Sequence, residues 1–392
     1  MNLDVRALGQ FSRLADDGAA RAAASLSVLL GGDVAVESGR VAVTSIDEVR
    51  KAVAPDRHGG VAVPFGGAID GTALLVVDRE DVPLVLDSLS GLVDGDQTLA
   101  ISGLRELGNV LLSGFVDGWS NHLGAAVAPE PPVLLDEASL SALFPAAEVP
   151  VLSFQNHLLG VDSGVEFAVY LLPSPSAVET LFATDGEGLR ADRLLGFAET
   201  VRDGASRASG HVTALTGIET TVEVADLSFA PVEHLTEFVS SGVRVGVVLE
   251  LVDLPGGFVV VLFDEESADH VVEALMPGID DESMRQSAIM EVGNILTSGF
   301  VDGWANELGT TIDISPPKYV HDMAAAILDP VVVSLATAQD VGLLVESQIR
   351  TDEGAFTCEI YVVPEERGLS AVLAGDGSTQ RGEESRPGPA GV

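Results

Sequence analysis

Hydrophobic positions along the chain follow three rhythms. Ala-rich stretches with helical spacing run over about 5–30 and again over 190–216, each an amphipathic helix. Short all-apolar or alternating runs follow: VAVES, RVAVTS, GVAVPFGG and TALLVVD first, then VGVVLELVD and FVVVLFD. These have the length and β-branched content of strands. Short helical patterns at about 81–91 and 266–275 lead into long ones at about 98–123 and 283–308. Closing strands are expected at VPVLSFQ and EFAVYLL, and at PVVVSLAT, GLLVESQI and TCEIYVV; FAVYLLP and CEIYVVP are each followed by a short helical pattern. Helices bracketing antiparallel strands predict an α+β fold with helices packed on a sheet.

The pattern is used twice. A shift of 186 residues places FSRLADDGAARA (11–22) on FAETVRDGASRA (197–208) and GTALLVVD (71–78) on GFVVVLFD (257–264). A shift of 185 places ELGNVLLSGFVDGWSNHLG (106–124) on EVGNILTSGFVDGWANELG (291–309), with 14 of 19 positions identical. The opening helices agree at only 6 of 17 (11–27 against 197–213), so the second segment carries a constraint the first does not. A period this long is a domain, not a solenoid repeat. Two tandem units are expected, 1–185 and 190–374, joined within TDGEGLRADR (184–193). Residues 375–392 are rich in Gly, Ser, Pro and charge and read as a disordered tail.

Composition narrows the possibilities. With 392 residues, 46% of them hydrophobic, the chain can bury two cores. The single cysteine, Cys358, forms no disulfide framework and reads as a small core residue. No signal peptide or membrane span is visible, and a cytoplasmic location is expected. Net charge is −40, with lysine only at Lys51 and Lys318. Carboxylates dispersed in this way resemble a salt-adapted proteome; an acidic mesophilic protein, or one with an acidic partner-binding face, is the alternative. No basic patch exists to neutralise phosphates, which argues against nucleic-acid binding.

On the long helices, Ser102, Glu106 and Asn109 recur as Ser287, Glu291 and Asn294. Their i, i+4, i+7 spacing stacks them along one stripe, while Leu104, Leu107, Val110, Leu111 and Phe115 supply a buried face. Ile289, Val292, Ile295, Leu296 and Phe300 do the same in the second unit. Gly114, Phe115, Gly118 and Trp119, with Gly299, Phe300, Gly303 and Trp304, read as packing residues. Asp117 and Asp302 line a partner face or are solvated. Asn121 and Asn306 precede the helix-ending signals Gly124 and Gly309. Pro132 and Pro317 each follow their Asn after 22 intervening residues and close a Pro-Pro pair.

The spacing Asp/Ser-xxx-Glu-xx-Asn-x(22)-Pro, present twice, resembles the signature of the CheC/CheX/FliY family, phosphatases of phosphorylated chemotaxis response regulators. The helix DGAARAAASLSVLLGGDV (17–34) is similar to the family's opening helix. The resemblance covers most of both units and implies two tandem CheC-like domains, each with internal pseudo-two-fold symmetry. It implies that Asn109 and Asn294 orient the water that attacks the aspartyl phosphate. Glu106 and Glu291 would pair with the regulator's active-site lysine, with Ser102 and Ser287 as supporting contacts and the prolines shaping a turn. Where opening helices of this family carry a second Glu-xx-Asn pair, this chain has Arg13 and Asp16, and Glu199 and Arg202. No activity is therefore expected there. No cofactor of the chain's own is implied; Mg²⁺ belongs to the regulator. The implied function is phosphatase of a CheY-type regulator, with CheD a further candidate partner. The rival is a non-catalytic adapter that binds CheY, CheD or the motility switch.

Other chemistries lack their residues. The seven histidines are scattered, and no Walker A loop or G-x-S-x-G elbow is present.

Overall fold

The structure, a computed structural model, describes residues 2–90, 97–144, 150–185, 188–217, 219–252, 254–308, 311–351 and 356–374. The expected tail, 375–392, and Gly309 fall outside them.

One run of six elements, helix–strand–helix–strand–strand–helix, is traversed four times. The first pass is Val5–Leu30, Val34–Ser45, Ile46–Ala52, His58–Gly67, Gly71–Asp78 and Val82–Ser90. The second is Gln97–Leu123, an edge strand in two pieces (Val127–Pro129, Val133–Leu134), Glu137–Leu143, Pro150–Gly160, Glu166–Pro173 and Pro175–Phe182. The third is Ala191–Thr216, Thr221–Pro231, the 3₁₀ turn Val232–Glu237, Val243–Leu251, Gly257–Phe263 and Glu265–Leu275. The fourth is Glu282–Leu308, Lys318–Met323, Ala324–Ala336, Val341–Arg350, Thr357–Pro364 and Glu366–Ala374. Passes one and two make unit one; three and four make unit two.

Within each unit the two passes interleave. In unit one the strand order is Val34–Ser45, Pro150–Gly160, Glu166–Pro173, Gly71–Asp78, His58–Gly67 and the edge pieces, which reads the same from either end once the passes are exchanged. Unit two repeats this order, and every pairing is antiparallel. The four long helices cover one face over a continuous core that takes in Val61, Val63, Val259, Val261, Trp119 and Trp304. Alternate strand residues point the other way. Ala62 and Leu74 pack under the short helices of unit one, and Val260 and Leu262 under Ala324–Ala336 of unit two. Burial on both faces explains why TALLVVD and FVVVLF are apolar throughout instead of alternating.

Two expectations are corrected. VAVES and RVAVTS form one strand, its register shifted by a bulge between Glu37 and Arg40. PVVVSLAT is not a strand but the second half of the helix Ala324–Ala336. Its buried residues, Ala324, Ile327, Leu328, Val331 and Leu335, follow a helical period that begins before Pro330, and a short β-branched run alone does not distinguish the two states. Pro330 sits inside that helix.

The units are sewn into one sheet. Ser228 and Phe229 pair with Ala42 and Val41, and Ser228 and Ala42 are equivalent positions (228 − 42 = 186). The join is therefore a pseudo-two-fold, self-complementary contact. Charged groups bridge it on both sides: Arg13 to Glu233 at 3.1 Å, Arg40 to Glu346 at 2.7 Å and Arg202 to Glu48 at 2.5 Å. Asp16 accepts from the Gly39 N–H and the Asn156 amide, and its other oxygen lies 3.9 Å from His234 Nδ1. Burial raises the Asp16 pKa, against the pull of these hydrogen bonds and of His234.

Because the folded-state pKa is raised, charging Asp16 destabilises the fold as pH rises through that value, and the penalty persists above it. Asp16→Asn keeps an acceptor for both hydrogen bonds. It is expected to raise the melting midpoint above pH 7, by about 2–4 °C for each kcal/mol relieved. Thermal unfolding of the two proteins from pH 4 to 8 should show the curves converging at the acid end.

Candidate active sites at the two ends of the sheet

Each motif helix lies over an end of the sheet. Gln97–Leu123 packs on His58–Gly67 and the edge piece Val127–Pro129, and Glu282–Leu308 packs on Val243–Leu251 and Lys318–Met323. The second helix starts where the Asp281 carboxylate accepts from the N–H groups of Ser283 and Met284; the Ser283 hydroxyl, which also donates to it, and these backbone bonds hold its pKa below the usual range. The first ends at Gly124, in the left-handed region at φ 61°.

Three glycines in each motif set the helix in place. A Cβ on Gly108 would collide with the Val61 side chain, and one on Gly293 would stand 2.7 Å from Val247 Cβ. The glycine between Glu and Asn thus lets the helix rest directly on the sheet. Gly114 and Gly118 face the opening helix: Arg21 donates to the Gly114 carbonyl at 3.2 Å, and its guanidinium lies over Gly118. In unit two Arg207 lies over Gly303, and Gly299 meets Ala208. Phe115, Trp119, Phe300 and Trp304 are all buried, as their packing role requires. Gly108→Ala is expected to cost about 1–3 kcal/mol by overpacking, read as a lower denaturation midpoint.

With the helix anchored below, its polar stripe faces out. Ser102, Glu106 and Glu291 are exposed, as is Ser287, whose hydroxyl donates to the Ser283 carbonyl at 2.8 Å. Asn109 and Asn294 are half-buried. Among the described residues, neither carboxylate and neither Asn amide makes a hydrogen bond or ion pair within the chain. The Asn main chain, by contrast, is engaged: Ser113 and Ser298, one turn on, donate to the Asn109 and Asn294 carbonyls at 2.6 and 2.8 Å.

In unit one the stripe forms one wall of a groove of ≈ 380 Å³ lined by Ser102, Arg105, Glu106, Asn109, Pro129, Glu130, Pro131 and Pro132. Pro132 does more than turn the chain: with its neighbours it forms the opposite wall. The Pro-Pro pair interrupts the edge strand between Pro129 and Val133, because proline has no N–H for the ladder. In unit two Pro316 and Pro317 stand just before the edge strand Lys318–Met323, and Ser315 fixes the approach by accepting from the Glu250 N–H at 2.9 Å. Asp117, Asp302, Asn121 and Asn306 are exposed, and Asp117 and Asn121 are not among the groove-lining residues. Cys358 is buried, and burial pushes its thiol pKa up. Among the described residues no cluster of three or more His, Cys, Asp or Glu side chains is arranged to hold a metal ion.

The opening helices meet a different fate. By the internal symmetry of each unit they correspond to the motif helices, but they flank the join between the units instead of a free edge. Arg13, Asp16 and Arg202 are engaged there with Glu233, His234 and Glu48. Positions equivalent to a Glu-Asn stripe have become part of the seam.

The sequence model of the CheC-like family matches residues 284–321, which include Ser287, Glu291, Asn294 and Pro317. A Halobacterium salinarum protein named "Putative CheY-P phosphatase CheC1" is 37% identical over 182 residues, covering 44% of this chain and 90% of that protein. The chain belongs to the CheC-like family. Among solved structures, FliY from Thermotoga maritima aligns at 18% identity with a TM-score of 0.39, covering 48% of this chain and 96% of FliY. CheX from Desulfovibrio desulfuricans aligns at 15% identity with a TM-score of 0.32, covering 43% and 99%.

Proposed function

We propose that this chain is a phosphatase that accelerates hydrolysis of the aspartyl phosphate of a CheY-type response regulator, with one site at each end of its sheet. The observation that carries this reading is the pair of outward stripes whose Glu and Asn side chains have no hydrogen-bond or ion-pair partner among the described residues. Asn109 and Asn294 hold a water in line with the P–O bond to the regulator's aspartate. An amide suits the task because it both donates and accepts without competing as a nucleophile. Attack by that water forms a P–O bond to its oxygen, breaks the bond to the aspartyl oxygen, and releases inorganic phosphate and a free carboxylate. Glu106 and Glu291, one turn earlier, dock against a cation of the regulator, and Ser102 and Ser287 support that contact. Catalysis is positioning and electrostatics, and Mg²⁺ enters on the regulator. We place the reaction in the cytoplasm, and no described helix is long and apolar enough to cross a membrane. CheD is a further partner to be tested by direct binding.

The test is phosphate release from the phosphorylated regulator, at high salt, with and without the protein. Faster release supports the proposal. Regulator binding without faster release would replace it with the adapter reading.

A further inference from the structure

The two motif helices sit on equivalent scaffolds, but the residues around the groove of unit one are not matched in unit two. In unit one Arg105 stands on the helix wall, between Ser102 and Glu106, and Glu130 stands on the proline wall. Both are exposed, and among the described residues neither forms an ion pair. A shift of 185 places Met290 at the position of Arg105 and Ser315 at that of Glu130. The Ser315 hydroxyl is already held by the Glu250 N–H at 2.9 Å. One groove therefore presents a free cation and a free anion on facing walls. At the equivalent positions unit two has a thioether and a hydroxyl that already accepts from the main chain of Glu250. Glu, Asn and the Pro-Pro pair are the same in both.

We infer that Arg105 and Glu130, against Met290 and Ser315, are specificity-determining residues that fit the two sites to receiver surfaces of different character. Site one takes a receiver domain with an acidic side chain opposite Arg105 and a basic one opposite Glu130 around its phosphorylation pocket. Site two takes a rim that is apolar at the first position and uncharged at the second. Paired charges reject a mismatched partner more strongly than they reward a matched one, because an unmatched charge is desolvated without compensation. These four residues are assigned to docking. They change which receiver docks, and Asn109 and Asn294 carry the chemistry in both cases. The inference rests on the phosphatase reading.

The test isolates each site with the other's Asn removed, Asn294→Ala for site one and Asn109→Ala for site two, and uses a phosphorylated CheY-type receiver domain as the probe. The two sites should differ in KM by about 3- to 10-fold, the size of effect one or two rim charges produce. Arg105→Met with Glu130→Ser should move the KM of site one to that of site two. Met290→Arg with Ser315→Glu should move site two the other way, with kcat held in both. The reciprocal design guards against one exchange simply misfolding. Equal KM values for the two sites, or exchanges that move kcat and leave KM within twofold, would overturn the inference. The double variant Asn109→Ala, Asn294→Ala is run alongside. If it accelerates release as fast as wild type, the two Asn do not carry the chemistry; if wild type gives no acceleration, the phosphatase reading fails, whereas an active wild type and a dead double variant with unmoved KM values defeat only the rim assignment.

Discussion

Replacing Asn109 and Asn294 together with alanine is expected to lower the acceleration of phosphate release by roughly 10²-fold or more, the cost of losing one preorganised polar group at a reacting centre. Neither Asn side chain holds the described fold together: each amide lacks a partner among the described residues, and the main-chain carbonyls keep their bonds from Ser113 and Ser298. Melting behaviour should therefore be unchanged. Each single variant should lose only its own site's share of turnover at saturating regulator, because the sites occupy opposite ends of the sheet. Glu106→Gln or Glu291→Gln should act mainly on KM, since docking precedes the chemistry. If wild type and double variant accelerate equally, the water-positioning role is wrong.

The largest effect on stability is expected at Trp119. Its ring is buried and meets Phe11, Phe65 and Phe154 edge-on, with centroids 5.2, 6.3 and 4.9 Å away. Trp119→Ala removes this contact at the point where motif helix, opening helix and sheet converge, and should cost about 3–5 kcal/mol. The experiment carries its own reporter, because the remaining tryptophan, Trp304, lies in unit two against Phe197 at 4.7 Å. Denaturant titration followed by Trp304 fluorescence reads unit two directly, while circular dichroism reads both units. If the seam couples them, the Trp304 transition moves with the rest. A midpoint unchanged by either probe would contradict the packing described here.

Ile46–Ala52 and Glu137–Leu143 were not legible in the sequence, whereas the long helices and the short ones Val82–Ser90 and Glu265–Leu275 were, to within a residue or two. Their caps and periodicity are local, and duplication gave each pattern a second chance to be seen. The stripe of Ser, Glu and Asn was legible for the same reason: helical spacing alone puts the three on one face. The facing wall was not. Pro132 follows Asn109 by 23 positions, and only the path of the edge strand brings it across the groove, so its sequence signal pointed no further than a turn. The helix Ala324–Ala336 was misread because Val331, Val332 and Val333 favour strands intrinsically, while burial under the sheet decided for a helix. The seam was hardest to see. It rests on two cross-strand pairs and a few ion pairs between residues up to about 300 positions apart, and no local pattern encodes such partners. Arg13, Asp16 and Arg202 were visible only as departures from a Glu-Asn pair; their contacts in the structure show what took its place.

The continuity of the sheet has a consequence for how this protein meets its partners. Twelve strands in line are eleven steps, and at about 4.8 Å per step the two edge strands lie roughly 50 Å apart along the sheet. A compact domain of about 100 residues has a radius of gyration near 13 Å, so two of them seated at the two ends stay clear of each other. On the two-site reading proposed above, one chain is then a bivalent ligand. Wherever regulators are clustered, engagement at one end raises the effective concentration at the other, and residence on the cluster outlasts either contact alone.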